Sequence, residues 1–343
     1  MKNKIFLAGY VNCLNAQNLN CRALASYLDK DKFEVLSMKI SEKSKAIQGV
    51  NYFNCIKPYK ISTSLAMIWG LLNSEIAYFP KHLDTPNWIL ILAKIIGRKV
   101  FTTIEMNMCD RNKKNLIDNF GGIDKLKNHF DLIPNIYGIS NFIVDNAKCG
   151  VILNEKVLHL GVDLDLYKPD EKKELSNIVF IGNVIKQKGL YDFLDLAIRL
   201  PELSFHIIGK GYLLNELQLR KIKNIIFHGQ LDPIAVSNML QDMDLLFLPS
   251  RSEGFPKVIL EAAASGIPSI VYSDYGADRW INHGANGFVV SDFHEVVEIV
   301  NRLINEKFLL QSCSRKVVSL AHEFSWDKKI KIWEEEINNI LDA

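Results

Sequence analysis

An α/β fold of two doubly wound domains is what this sequence predicts, on three observations. Short β-branched and aromatic runs alternate with helix-periodic stretches along the chain. The series breaks once, from Asp163 to Leu175, in a polar stretch with Pro169 inside a Lys/Asp/Glu cluster, and then restarts. The chain has 343 residues, more than one ordinary core accommodates. The predicted domains are residues 1–165 and 172–325.

The elements follow in order. In the first series Ile5–Ala8, Phe33–Met38, Ile76–Phe79, Val100–Thr103 and Ile136–Ile139 read as strands, with helices at Arg22–Leu28, Trp88–Ile96 and Phe142–Lys148. In the second, strands fall at Ile178–Ile181, Ser204–Ile208, Ile225–His228, Leu245–Leu248 and Ser269–Tyr272, with helices at Leu190–Leu200, Ile234–Asp242 and Pro256–Ser265. Strands that alternate with helices through short loops imply parallel sheets with right-handed crossovers, and two such domains place a ligand in the cleft between them. The tail carries Ile330, Trp333, Ile337 and Leu341 on one helical stripe that has to be buried somewhere.

Composition excludes several classes. At 48% apolar and 23% charged residues the chain is neither disordered nor collagen-like. No run reaches the length of a membrane span, since Trp88–Ile96 is short and broken by Lys94, and the start lacks a signal-peptide cleavage site. The widely spaced cysteines at 13, 21, 55, 109, 149 and 313 argue against a disulfide framework and for a reducing cytoplasm. No histidine pair, from His82 to His322, has zinc spacing, which argues for no metal. Residues 1–168 hold 22 Lys and Arg against 15 Asp and Glu, so a basic first half precedes an acidic second one. The near-zero net charge of +2 argues against a nucleic-acid partner.

Two glycine turns and one acidic element carry chemistry. Gly182 closes a strand ahead of Lys186, Lys188 and Gly189, which is a phosphate site by physics: the helix start offers free N–H groups and the lysines add full charge. An ordinary strand-to-helix turn gives the same pattern. Gly209 and Gly211 begin like a dinucleotide fingerprint, but Leu214 replaces the third glycine and the turn follows the second strand, so a tight turn is the better reading. The densest stretch runs from Leu248 to Pro268. Pro256 stands where a first helical residue would and Gly266 where the helix would stop, leaving Glu253 on the preceding loop and Glu261 in the second turn. The two carboxylates would grip opposite ends of an extended polar ligand, with the N–H groups of Gly254 and Phe255 beside them. Glu261 also reads as a surface ion pair with Lys257, although its neighbours Val258–Leu260 and Ala262–Ala264 are apolar.

Residues 178–290 resemble the donor-binding half of the retaining glycosyltransferase family four, of the two-Rossmann GT-B architecture. The resemblance rests on Gly182 with Lys188-Gly189, on Gly209-x-Gly211, on Phe227-His228-Gly229 and on Leu248-Pro249-Ser250. Its strongest feature is the E-x7-E element from Glu253-Gly254-Phe255-Pro256 to Glu261, followed by Gly266-Ile267-Pro268 and Asn286-Gly287. Ser140-Asn141-Phe142, His159–Asp163 and Phe324-Ser325-Trp326 match as well, and the last implies that residues 326–343 cross back onto the first domain. Before residue 136 the likeness is one of strand order only.

The resemblance implies transfer of a hexose-type sugar from a UDP-, GDP- or ADP-sugar to a hydroxyl acceptor, without cofactor or metal, in surface polysaccharide, lipopolysaccharide or lipid-linked glycan synthesis. Lys188 would neutralise the diphosphate and Gly182 admit it. Glu253 with Gly254 and Phe255 would hold the sugar, and Glu261 the ribose. Gly209 and the segment from His228 to Leu231 would line the base. Two positions depart from the family pattern: Asn183 stands where many members have arginine, and Glu105 where many have histidine, so Glu105 is either a contact for acceptor or sugar or a solvated strand-end residue. The basic first domain would suit a peripheral contact with the inner face of an anionic membrane. A nucleotide-sugar epimerase and a catalytically inactive GT-B homologue serving as an interaction subunit are the alternatives.

Overall fold

The computed structural model describes residues 2–13, 15–42, 46–80, 84–108, 116–147, 149–214 and 221–343. His82, Cys109 and the predicted helix end at Lys148 lie outside the described residues. Two compact units emerge, Met1–Leu160 with Trp326–Ala343, and Gly161–Ser325.

The first unit holds a parallel seven-stranded sheet of order β3-β2-β1-β4-β5-β6-β7. Its strands are β1 (Asn3–Tyr10), β2 (Phe33–Ile40), β3 (Val50–Cys55), β4 (Ile76–Tyr78), β5 (Lys99–Ile104), β6 (Asn135–Gly138) and β7 (Asn154–Val157). The helices are α1 (Ala16–Tyr27), α2 (Tyr59–Asn73), α3 (Asn87–Ile95), α4 (Leu116–Phe120), α5 (Ile123–Phe130) and α6 (Asn141–Asp145). Ile5, Phe6 and Leu7 of β1 are all fully buried, as a central parallel strand covered on both faces requires. Because the strand order reverses at β1, right-handed crossovers put α1 on one face and α2 with α3 on the other. Sequence reading missed β3, an edge strand whose residues are mostly half-exposed, and α2, which starts after Pro58 with no side-chain cap and no acidic first turn. Neither carries the punctuation such readings rely on.

The second unit holds a six-stranded parallel sheet of order β10-β9-β8-β11-β12-β13. These are β8 (Asn177–Ile181), β9 (Ser204–Ile208), β10 (Ile225–Gly229), β11 (Leu245–Leu248), β12 (Ser269–Tyr272) and β13 (Phe288–Val290). Around them lie α7 (Leu190–Arg199), α8 (Pro233–Leu240), α9 (Lys257–Ala264), α10 (Phe293–Asn305) and α11 (Lys307–Glu323). The order reverses between β8 and β11, and such a switch point opens a crevice at the carboxyl ends of the two strands.

Residues 163–175, read from sequence as a linker, pack into this unit. Tyr167 and Leu175 are 5% exposed, and Lys172 is buried with its ammonium donating to the Gln241 carbonyl at 2.7 Å. The chain then returns: α12 (Trp326–Asp342) belongs to the first unit, where Trp333 is fully buried against Tyr78 and Phe101. Its indole N–H donates to the His159 carbonyl at 2.9 Å. Cys13, Cys21, Cys55 and Cys313 form no disulfide, but Cys149 is disulfide-bonded, which wide spacing in sequence had not predicted. Pairing needs proximity in space, and spacing along the chain does not report it.

Candidate active site

The loops that follow β8, β9 and β10 are stitched to one another. Gly182 N–H donates to the Ile208 carbonyl at 3.0 Å, Val184 N–H to Lys210 at 2.9 Å and Gly209 N–H to Gly229 at 2.8 Å. A Cβ on Gly209 (φ +149°) would stand 1.8 Å from the Gly182 carbonyl oxygen, so only glycine permits this approach. The glycine is thus required by close approach to the neighbouring loop, whereas residues 209–211 form no turn of the kind the sequence suggests. Asn183 and Lys186 are exposed, and Gly211 is half-buried.

A single turn of 3-10 helix, Lys186–Lys188, leads from this loop to α7. It ends at Gly189, left-handed at φ +69°, where a Cβ would lie 1.9 Å from the Pro249 carbonyl oxygen. That contact brings the start of α7 against the segment leaving β11. Across it Lys188 Nζ donates to Glu253 Oε1 at 2.6 Å, with side chains 26% and 11% exposed. Residues 65 positions apart, one expected at the diphosphate and the other at the sugar, therefore touch in a short charge-assisted pair.

Around the pair the polar groups are organised. The Arg251 guanidinium lies 3.8 Å from the Tyr272 ring centroid and donates to Asp274 at 3.1 Å. Tyr272 donates to Asp192 at 2.6 Å. The Tyr275 hydroxyl is buried with no hydrogen-bond partner among the described residues. Burial, then the charges of Glu253 and Asp274, push its pKa well up. Sequence reasoning missed it because a tyrosine carries no motif.

Gly254, Phe255 and Pro256 are buried, with the Phe255 ring 5.3 Å from Trp280 and 5.0 Å from Phe324. The helix starts one residue later than predicted: Pro256 is the N-cap in extended conformation, and α9 runs to Ala264. Glu261 is neither a bare surface charge nor paired with Lys257 alone. Burial raises its carboxyl pKa, while the Lys257 charge and a hydrogen bond from Tyr167 oppose that shift. Tyr167 comes from the stretch read as linker, and sequence carried no sign of it.

The remaining predicted residues are less convergent. His228 is half-buried and turned toward its neighbour strand: its Nε2 lies 3.0 Å from His206 Nδ1, with the rings coplanar to within 4°. His206 Nε2 reaches Asn177 Oδ1 at 3.2 Å, and Asn177 hydrogen-bonds Asp244. Burial lowers the pKa of both histidines, so the neutral chain runs His228 Nε2–H to His206 Nδ1 and His206 Nε2–H to Asn177. Leu231 is half-buried on the loop before α8. In the first unit Glu105 directly follows β5 and accepts from Asn20 Nδ2 at 2.6 Å, Asn20 itself being fully buried. Among the described residues no group of three His, Cys, Asp or Glu side chains converges on a point.

Residues 165–317 match the family described as glycosyl transferases group 1. The chain is 29% identical over 207 residues to the alpha-galactosylglucosyldiacylglycerol synthase of Streptococcus pneumoniae, covering 57% of this chain and 52% of that protein. It is 28% identical over 210 residues to an Escherichia coli UDP-Gal:alpha-D-GlcNAc-diphosphoundecaprenol alpha-1,3-galactosyltransferase, covering 53% and 52%. The chain thus spans about half the length of the curated relatives it matches. In fold it is similar to Anabaena HepE, crystallised with UDP and glucose, at a TM-score of 0.76 and 15% identity over 99% of this chain and all of that one. The family match covers most of the second unit and less than half of the chain, and the two parallel sheets make up the GT-B fold.

Proposed function

We propose that this protein is a retaining, metal-independent glycosyltransferase of family four. It moves a hexose-type sugar from a nucleoside diphosphate to a hydroxyl acceptor in surface polysaccharide, lipopolysaccharide or lipid-linked glycan synthesis at the cytoplasmic side. One observation carries the reading: Lys188 and Glu253 meet beside the switch point between β8 and β11, at the start of the chain leading into α9. The names of the relatives above, built on a glycolipid and a diphosphate lipid, support the acceptor class.

Breaking the bond from sugar to diphosphate places negative charge on the phosphates and positive charge on the sugar ring. Lys188 offsets the first. Glu253, whose carboxylate accepts hydrogen bonds and donates none, orients sugar hydroxyls and sits where the second develops. The pair holds both side chains in place before they turn to a donor, so little reorganisation accompanies reaction. Glu261 takes one hydrogen bond from Tyr167 and keeps further lone pairs for ribose hydroxyls. Gly182 lets the phosphates approach the backbone, Gly209 and the segment His228–Leu231 line the base, and Glu105 faces the acceptor.

A thermal-shift panel of UDP-, GDP- and ADP-sugars tests the donor site. One nucleotide class stabilises the wild type, and Glu261→Ala diminishes that shift. Glu253→Ala lowers kcat about 10²-fold or more with a smaller change in donor affinity. Stabilisation by none of the three classes would refute the reading. Donor isomerised without any acceptor would replace it with an epimerase.

A further inference from the structure

The segments that leave β11 and β12 are clamped together. The two strands pair in parallel, with Leu248 opposite Val271. Just beyond them Arg251 donates to Asp274 at 3.1 Å and to the Ser291 carbonyl at 3.3 Å. The clamp brings the stretch that holds Glu253 alongside a single turn of 3-10 helix, Ser273–Tyr275. That turn leaves Ser273 exposed and directs Tyr275 inward, where it is 2% exposed.

Three buried side-chain atoms among the described residues lack a hydrogen-bond partner: His129 Nε2, Ser269 Oγ and the Tyr275 hydroxyl. His129 belongs to the first unit, and Ser269 opens β12 at the strand end away from the site. The Tyr275 hydroxyl is the one that the charge of Glu253 reaches, with Asp274 second. Asp274 is held by Arg251, whereas Glu253 is held by Lys188 through one oxygen. A hydroxyl buried without a partner costs stability, and phenylalanine would fill the same space without that cost. Packing therefore does not account for the oxygen.

Lys188 supplies the reason. A diphosphate carries more charge than one carboxylate and draws the ammonium to itself. Glu253, 11% exposed, is then a nearly buried charge without its cation, which is unfavourable unless another donor replaces it. Arg251 is engaged with Asp274 and lies over the Tyr272 ring, while the Tyr275 proton is uncommitted among the described residues. We propose that Tyr275 is a positioning residue that takes Glu253 over from Lys188: once a nucleoside diphosphate holds the ammonium, the tyrosine hydroxyl donates to the carboxylate and keeps it aimed at the sugar. The inference rests on the donor-site reading above and adds an exchange of partners to it.

Calorimetry with UDP, GDP and ADP tests the exchange on wild type, Tyr275→Phe, Glu253→Ala and the double variant. One of the three nucleotides binds the wild type, and Tyr275→Phe binds it about tenfold more weakly, as the loss of a hydrogen bond to a charged group requires. With Glu253 already alanine, Tyr275→Phe changes the affinity by about twofold at most, because the hydroxyl has no carboxylate to take. A tyrosine that merely packed would weaken both backgrounds alike. Tyr275→Phe unfolds in urea as the wild type does, which separates the loss of affinity from a loss of folding. Equal affinity of wild type and Tyr275→Phe, or the same loss in both backgrounds, overturns the exchange and leaves the donor site standing. A loss seen only with the glucose ester of the nucleotide also overturns it, since the hydroxyl would then be a sugar contact. A wild type that binds none of the three nucleotides brings down the donor reading and this inference together.

Discussion

Tyr167 and Glu261 show how one hydroxyl decides whether a carboxylate can sit on an apolar helix. Burial raises the Glu261 pKa, so the folded state holds that proton more tightly than the unfolded chain, and ionisation costs stability as pH rises through the ordinary carboxyl range. The Tyr167 hydrogen bond favours the ionised form and offsets part of that cost. Tyr167→Phe therefore destabilises by about 1–3 kcal/mol at pH 7 and by less near pH 4, where the carboxyl is protonated. Urea unfolding at the two pH values measures the gap, and an equal loss at both would dismiss the role. Tyr275 is the opposite case. Its hydroxyl makes no hydrogen bond among the described residues, so Tyr275→Phe leaves unfolding free energy within about 0.5 kcal/mol of wild type or raises it. A loss of 2 kcal/mol in the same titration would reveal a hidden partner.

Between elements, the decisive contacts are backbone approaches that glycine permits. Gly189 and Gly229 have nearly the same dihedral, φ +69° and +68°. A Cβ on Gly189 would meet Pro249 backbone at 1.9 Å, whereas one on Gly229 would meet nothing within 4 Å. Gly229→Ala should cost about 1 kcal/mol, the strain of a left-handed alanine. Gly189→Ala must in addition part α7 from the segment after β11, so we expect a loss of about 3 kcal/mol or more. It also separates Lys188 from Glu253, and nucleotide-sugar stabilisation in a thermal-shift assay should disappear with it. Equal costs for the two variants would mean that the α7 approach is not under constraint.

At the scale of the molecule, α12 ties the chain's last residues back into the first unit. Trp333→Ala removes its largest buried side chain and should destabilise by about 3–5 kcal/mol, measured by denaturant unfolding. Beside it, His159 donates from Nδ1 to the Ile139 carbonyl at 3.0 Å. Burial, helped by the nearby Lys329 charge, brings its pKa down to about 4. A histidine lowered in this way contributes full stability above its unfolded value near 6.5 and loses it as pH falls toward 4. Wild type should lose about 3 kcal/mol relative to His159→Asn between pH 7 and pH 4. Parallel pH profiles for the two proteins would show that another group drives acid unfolding.

By itself the sequence determined the two α/β series, the strands that open each of them, and the pairing of a glycine turn with the E-x7-E element. These follow from hydrophobic period and from Gly and Pro punctuation, which are local properties. The GT-B architecture and the return of the last helix came from the resemblance of those motifs to a known family. Only the tertiary structure decided that Lys188 and Glu253 touch, that Glu261 has Tyr167 as its partner, that His206 and His228 share a hydrogen bond, and that the buried Tyr275 hydroxyl lacks a partner among the described residues. Each of these joins residues distant in sequence or asks whether a buried group is paired. That depends on which strands lie adjacent and which backbones approach to within a glycine's width, and no window along the chain contains it.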